Sequence, residues 1–212
     1  VALTLDNSRA LVANHSDGTL SVVSMTDHEV TATIPVGSLP YGVVTNNNAT
    51  AYVSLEGTDQ IAEVDFNSQT VTRTIDVPDA PAGLTLWGDF LYVTHFWSGA
   101  VSMVYLPQGR VMQTVSTGMD TALFQNIEPD ITRGVAYLPQ TRLNAQNPAL
   151  TYDTTAFPVV NVINLRDLSP VRSRRIALDV ADRPVNMPFA AALDRFAQRL
   201  YVANAGSDSI DR

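Results

Sequence analysis

A short landmark recurs five times along this 212-residue chain: an apolar pair, a small or polar residue, then often an amide or a histidine. It occurs as Leu11-Val12-Ala13-Asn14, Tyr52-Val53-Ser54-Leu55, Tyr92-Val93-Thr94-His95, Tyr137-Leu138-Pro139-Gln140 and Tyr201-Val202-Ala203-Asn204. The first residues of these groups lie 41, 40, 45 and 64 positions apart. A period of this size constrains the fold more than any other feature, because each repeat is one supersecondary unit that buries its apolar faces only against its neighbours.

The flanks repeat as well. Upstream of the landmark comes Pro-x-small and an apolar run, as in Pro40-Tyr41-Gly42-Val43-Val44, Pro81-Ala82-Gly83-Leu84 and Pro188-Phe189-Ala190-Ala191. Polar turns follow, such as Asn46-Asn47-Asn48 and Glu128-Pro129-Asp130. Downstream lie an alternating segment (Leu20-Ser21-Val22-Val23, Ile61-Ala62-Glu63-Val64, Val101-Ser102-Met103-Val104, Val160-Asn161-Val162-Ile163) and a closing one, as in Val30-Thr31-Ala32-Thr33-Ile34. Each unit therefore reads as four short strands separated by turn chemistry, with no sustained helical period. Four strands every ~40–45 residues is the pattern of a β-propeller blade. The expectation is an all-β propeller of four-stranded blades, with repeats at about 1–39, 40–80, 81–120, 121–187 and 188–212: four complete and part of a fifth. Val1 aligns one residue past the repeat's proline and Arg212 falls inside a third strand, so the array is expected to continue beyond this chain. Closure of the ring is how propellers protect their strand edges.

The Tyr-Val-x-Asn groups, the preceding Pro-x-Gly and the following Ser-Val-x-aliphatic strand resemble the Tyr-Val-Thr-Asn (YVTN) propeller family over nearly the whole chain. The chain departs from that pattern at Leu55, His95 and Gln140, where asparagine belongs. The resemblance implies a ring of seven blades, two or more of them outside this chain. It also implies a bacterial periplasmic or extracellular location and a non-catalytic binding or scaffold role. A rival implication is the propeller part of a periplasmic oxidoreductase that holds or docks haem, a cytochrome c domain or subunit, or a quinone.

Composition narrows the partners. With 21 acidic and 13 basic residues the net charge is −8, which disfavours nucleic acid and anionic lipid, both of which select basic surfaces. There is no cysteine, so thiolate metal sites, thiol catalysis and covalent c-type haem attachment are excluded within the chain. No cofactor is expected in this segment; haem is left to the intact protein. No apolar run approaches the ~20 residues of a membrane span.

A propeller gathers its second-to-third strand loops and its blade-to-blade loops on one face, the channel mouth, and a ligand or protein partner is expected there. The candidates on that face are Asn14, His15, His95, Phe96, Trp97, Gln140 and Asn204. His95-Phe96-Trp97 sets an imidazole between aromatics, suited to stacking a planar ligand or ligating iron; the alternative is a turn cap with packed rings. His15 lies one alignment position later in the first repeat, without close metal-ligand spacing. Asp17, Glu56, Asp59 and Asp208 form either an acidic ring or solvated turns. Arg172, Arg174 and Arg175 read as edge-strand charges. The fourth repeat is long: 20 positions separate Gln140 from Val160, against six from Asn14 to Leu20. This insertion, Thr141 to Ala156, adds Arg142, Tyr152 and Asp153 as candidate contacts, since long loops are often functional.

Overall fold

The computed structural model describes residues 1–118, 121–123, 125–143, 156–178, 187–207 and 209–211. Five small antiparallel sheets follow one another along the chain, and the architecture is an all-β propeller of five blades. Blade 1 holds β1 (Ala2–Leu3), β2 (Arg9–Asn14), β3 (Thr19–Ser24) and β4 (Val30–Pro35). Blade 2 holds β5 (Pro40–Val44), β6 (Thr50–Leu55), β7 (Gln60–Asp65) and β8 (Thr70–Asp76), and blade 3 holds β9 (Pro81–Trp87), β10 (Phe90–His95), β11 (Ala100–Tyr105) and β12 (Arg110–Ser116). In each of these sheets the strands lie side by side in chain order.

Blades 4 and 5 depart from four strands. In blade 4 the first segment is divided into β13 (Thr121–Ala122) and β14 (Glu128–Asp130), both paired with β15 (Val135–Leu143), which continues to β16 (Ala156–Asn164) and β17 (Ile176–Ala177). Blade 5 shows β18 (Pro188–Asp194), β19 (Arg199–Asn204) and β20 (Ser209–Asp211). No α-helix occurs among the described residues; two single-turn 3-10 segments, Leu106–Gln108 and Arg172–Arg174, are the helical content. The basic residues Arg172 and Arg174 thus lie in a turn, not in the outer strand read from the sequence.

The insertion in blade 4 is not wholly a loop. β15 and β16 pair from Val135↔Asn164 out to Leu143↔Ala156, so both described ends of the insertion are strand. Residues 144–155, which include Tyr152 and Asp153, fall outside the described residues.

By contacts the chain forms two compact units, residues 1–93 with 102–112, and residues 94–101 with 113–212. In the first, Leu11, Leu20, Val22 and Ile34 pack with Val43, Val53, Leu55 and Val64 in one apolar cluster. A second cluster joins Ile61 and Ile75 to Leu91, Val93 and Val104. Successive sheets thus bury their alternating apolar positions against each other, each large side chain contributing ~1.5–3 kcal/mol. In the second unit Val160, Leu178 and Val202 pack with Tyr137, Ala191 and Leu200.

The Pro-x-Gly element has a steric cause. A Cβ on Gly42 would lie under 3.0 Å from the carbonyl oxygen of Ala82 and 3.1 Å from Ser54 Oγ. Ser54 Oγ accepts a hydrogen bond from Gly42 N (2.7 Å) and donates one to Ala82 O (2.7 Å). The glycine lets β5 approach β9 closely, and the landmark's serine bridges the two backbones.

Candidate functional site

The landmark's fourth position is architectural where it is asparagine. Asn14 Nδ2 donates to Thr19 Oγ1 (2.9 Å) and Ser21 Oγ (2.8 Å) on the facing strand of its own hairpin. Asn204 Nδ2 lies 3.4 Å from Val202 O and from Ser209 Oγ, likewise within its hairpin. Both amides donate within their own hairpins, Asn14 part-buried and Asn204 buried. In blade 2 the position is Leu55, buried in the apolar cluster.

Blade 4 uses the position differently. Gln140 is fully buried, and its longer side chain reaches a residue outside its own hairpin: Nε2 donates to Thr117 Oγ1 at 3.0 Å. Thr117 Oγ1 in turn donates to Gly99 O at 2.8 Å. On the other side, Gln140 Oε1 accepts from Asn161 Nδ2, and Asn161 Oδ1 accepts from Arg175 Nε at 2.6 Å. Four donors therefore point one way along a buried chain, from the Arg175 guanidinium to the Gly99 carbonyl. Such a chain polarises itself, and every buried member is satisfied. Arg175 is accordingly a hydrogen-bonding member of the blade rather than an edge charge.

The far end of this chain holds the turn between β10 and β11. Gly99 O also accepts from Thr117 N at 3.2 Å, and Phe96 O accepts from Leu123 N at 2.8 Å. Gly99 has a left-handed φ of +62°, and a Cβ there would lie 2.8 Å from the carbonyl carbon of Thr121 and closer still to its oxygen. The turn is thus clamped at both ends by the segment that opens blade 4. On it stand Phe96, half-buried, and Trp97, which is 64% exposed. Their rings meet edge-on, with centroids 4.6 Å apart and planes at 87°, a favourable aromatic geometry.

His95, the imidazole of the same triplet, is fully buried at the end of β10. A haem iron needs an accessible axial nitrogen, so His95 as placed does not fit that role. His15 is exposed; its Nδ1 lies 3.3 Å from Pro40 O and its ring meets Tyr41 edge-on at 6.2 Å. Burial, then the charge of Glu56, pushes the Tyr41 phenol up. Asp59 Oδ1 accepts from Ala80 N at 2.9 Å, a turn-capping use; Asp17 is exposed and Asp208 falls outside the described residues. Among the described residues no three His, Asp or Glu side chains gather as a metal-ligand set. Arg142 is exposed and its guanidinium carbon lies 5.9 Å from the centre of the Phe157 ring.

The structure therefore sets Phe96, Trp97 and Gln140 into one assembly with Arg175, which the sequence offered as an edge-strand charge, and with Thr117, Thr121 and Asn161, which the sequence did not single out. A signal for them exists in the repeats. Val36 N, Val77 N and Thr117 N make the same bond to the preceding turn carbonyl, of Gly18, Asp59 and Gly99. Thr117 is the polar exception at that place, and it coincides with the Asn-to-Gln change at Gln140.

No family model matches the sequence, and no curated protein matches it. In structure the chain is similar to "Kuenenia stuttgartiensis Hydrazine Synthase", with a TM-score of 0.68 at 15% identity over 99% of this chain and 74% of that one. It is also similar to a functionally unknown protein from Desulfotomaculum acetoxidans DSM 771, with a TM-score of 0.70 at 13% identity over 98% of this chain and 65% of that one. At these identities the likeness establishes the fold, a β-propeller, and nothing finer.

Proposed function

We propose that this chain is a non-catalytic binding propeller whose partner or ligand engages the Trp97 turn. The carrying observation is an indole 64% exposed on a turn that several backbone and side-chain bonds hold fixed. Solvent does not favour a bare indole, and a rigid one loses little entropy on being covered; such residues are typical binding anchors. The resemblance to the YVTN family supports a bacterial envelope location. No helix among the described residues is long and apolar enough to cross a membrane.

The test is site-specific photo-cross-linking in the intact protein, with p-benzoylphenylalanine in place of Trp97 and, as the comparison, of Phe196. Phe196 is fully exposed in the turn between β18 and β19. Discrete adducts from position 97 that position 196 does not give are expected. No adduct at 97, or the same adducts at both, overturns the reading.

The oxidoreductase alternative has one support, the name of the Kuenenia stuttgartiensis structure. A visible absorption spectrum of the intact protein decides it: haem gives an intense Soret band, and its absence removes the haem form of that alternative.

A further inference from the structure

We propose that the cleft of blade 1 lined by Arg9 and Asp27 binds a small zwitterion, its carboxylate on the Arg9 guanidinium and its ammonium on the Asp27 carboxylate. This site is independent of the reading of Trp97.

The cleft has a volume of about 340 Å³, within the range of small-ligand sites. Ser8, Arg9, Ser24, Thr26, Asp27 and Thr31 line it, so the lining is wholly polar. Two of these residues carry opposite charges, yet among the described residues neither makes an ion pair, so a gap separates them. The Arg9 guanidinium donates through Nη1 to Asn67 Oδ1 at 2.8 Å, and its central carbon lies 5.5 Å from the centre of the Phe66 ring. Both contacts hold the guanidinium plane without neutralising it. Asp27 Oδ2 accepts from Ser24 Oγ at 3.0 Å, another neutral partner. The walls are set before any ligand arrives. Ser24 Oγ accepts from Thr26 N and Asp27 N at 3.3 Å each, and Ser24 N donates to Glu29 O at 2.8 Å. His28 closes this turn between β3 and β4 with a left-handed φ of +58°. Met25 N donates to Ser8 O at 2.9 Å, which ties the turn to the one that opens β2. Groups held in this way lose little freedom when a ligand covers them.

Charge decides the ligand class. A lone anion on Arg9 meets Asp27 and a net charge of −8. A lone cation on Asp27 meets Arg9 in the same cleft. A zwitterion answers both groups, and being neutral overall it is not repelled by the field of the whole chain. The planar fork of the guanidinium matches a carboxylate, and a compact ammonium with three donors matches the carboxylate of Asp27. An uncharged polyol would bond to the hydroxyls and leave both charges unanswered.

Glycine, 4-aminobutyrate and 6-aminohexanoate, a series of increasing charge separation, are titrated into the full chain at constant ionic strength, with acetate and methylammonium as single-charge probes. The backbone amide NMR signals of Ser8, Thr26 and Asp27 report binding. At least one zwitterion should give saturable shifts at all three, about tenfold or more tighter than either single-charge probe, the scale of one charge-assisted hydrogen bond. The member that binds tightest measures the gap. Asp27→Asn keeps an acceptor for Ser24 Oγ and removes the charge; it should lower zwitterion affinity to that of acetate and leave acetate no weaker. Arg9 also packs on Phe66, so Arg9→Lys, which keeps charge without the fork, is the second variant and should weaken the zwitterion while leaving methylammonium unchanged. Equal affinity for zwitterions and single-charge probes, an unchanged zwitterion affinity in Asp27→Asn, or no shift at these amides from any probe overturns the proposal. None of these outcomes bears on the cross-linking at Trp97.

Discussion

Replacing Gly99 with alanine strikes the clamp under the Trp97 turn directly. Its φ of +62° costs a residue with a Cβ about 1–2 kcal/mol. The new methyl would also meet backbone: the Thr121 carbonyl carbon at 2.8 Å, with the oxygen nearer still. Neither atom is the end of a flexible side chain, so β13 or the turn must retreat, a strain of about 1–3 kcal/mol. Retreat loosens the two bonds that Thr117 makes to Gly99 O, each worth about 1 kcal/mol net. Alanine's smaller unfolded-state entropy returns about 0.4–1 kcal/mol. The expected loss is about 3–5 kcal/mol. Gly88→Ala is the control, because Gly88 has nearly the same φ, +59°, but nothing within 4 Å of a Cβ; it should cost about 1 kcal/mol or less. Urea unfolding of the two variants gives the difference, and the indole N–H of Trp97 should shift in Gly99→Ala alone. Equal losses in the two variants, or an unmoved Trp97 signal, would refute the close-packing argument.

Thr117→Val restores the valine of the equivalent repeat positions but strands the Gln140 amide; about 1–3 kcal/mol should be lost in urea unfolding, and adding Gln140→Leu should recover part of it. Ser54→Ala removes the bridge between Gly42 N and Ala82 O and should cost about 2 kcal/mol by the same measurement, whereas Ser16→Ala, at an exposed turn position, should cost well under 1. The pH dependence has two opposed contributions. The Ser8 backbone N–H, then the Thr4 and Ser8 hydroxyls, hold the Asp6 carboxyl at about 2 against an ordinary 3.8; its contribution is present above 3.8 and is lost as pH falls through about 2. Burial pushes Glu128 above its ordinary 4.5 despite the Leu193 N–H and the Arg195 charge, so its contribution is fully present below 4.5 and is lost as pH rises through the folded value. Carboxyl NMR titration checks both, and a Glu128 midpoint at or below 4.5 would contradict the burial argument.

The blades were legible because what a propeller needs recurs: alternating apolar strands, turn residues between them, and a small residue after the proline. Gly42, Ser54 and Ala82 show why that last signal is strong, since the close approach of β5 to β9 leaves no room for a side chain. Blade 4 was less legible. A nine-residue β15 paired to its end with β16 is a long hairpin, but Pro148 with Asn144 and Asn147 reads as loop chemistry, so the whole insertion was expected as a loop. Division of the first strand into β13 and β14 leaves only two and three paired residues, too short for any period to register. Among site residues, Trp97 was visible as an aromatic in a turn. The buried status of His95 and Gln140 was not, because polarity suggests exposure and only the facing strands reveal the partners. Thr117 and Arg175 are distant in sequence from Gln140, and their relation to it exists only once the strands are in register.

The repeat position that defines the resemblance serves the fold in several blades. Asn14 and Asn204 spend their amides closing their own hairpins, and Leu55 fills a core, so the position answers to folding in blades 1, 2 and 5. In blade 4 the change to Gln140 keeps the demand for a satisfied amide but redirects it out of the hairpin, through Thr117, to the turn that carries Trp97. A longer side chain there would be a liability if it were alone, since a buried amide without partners costs several kcal/mol. It is tolerated because Thr117, polar where Val36 and Val77 stand in blades 1 and 2, and Asn161 and Arg175 supply it with partners. The resulting chain of side chains crosses from the fourth repeat to the third and ends at the turn that carries the most exposed tryptophan of the chain. It marks the place where this propeller stops being generic.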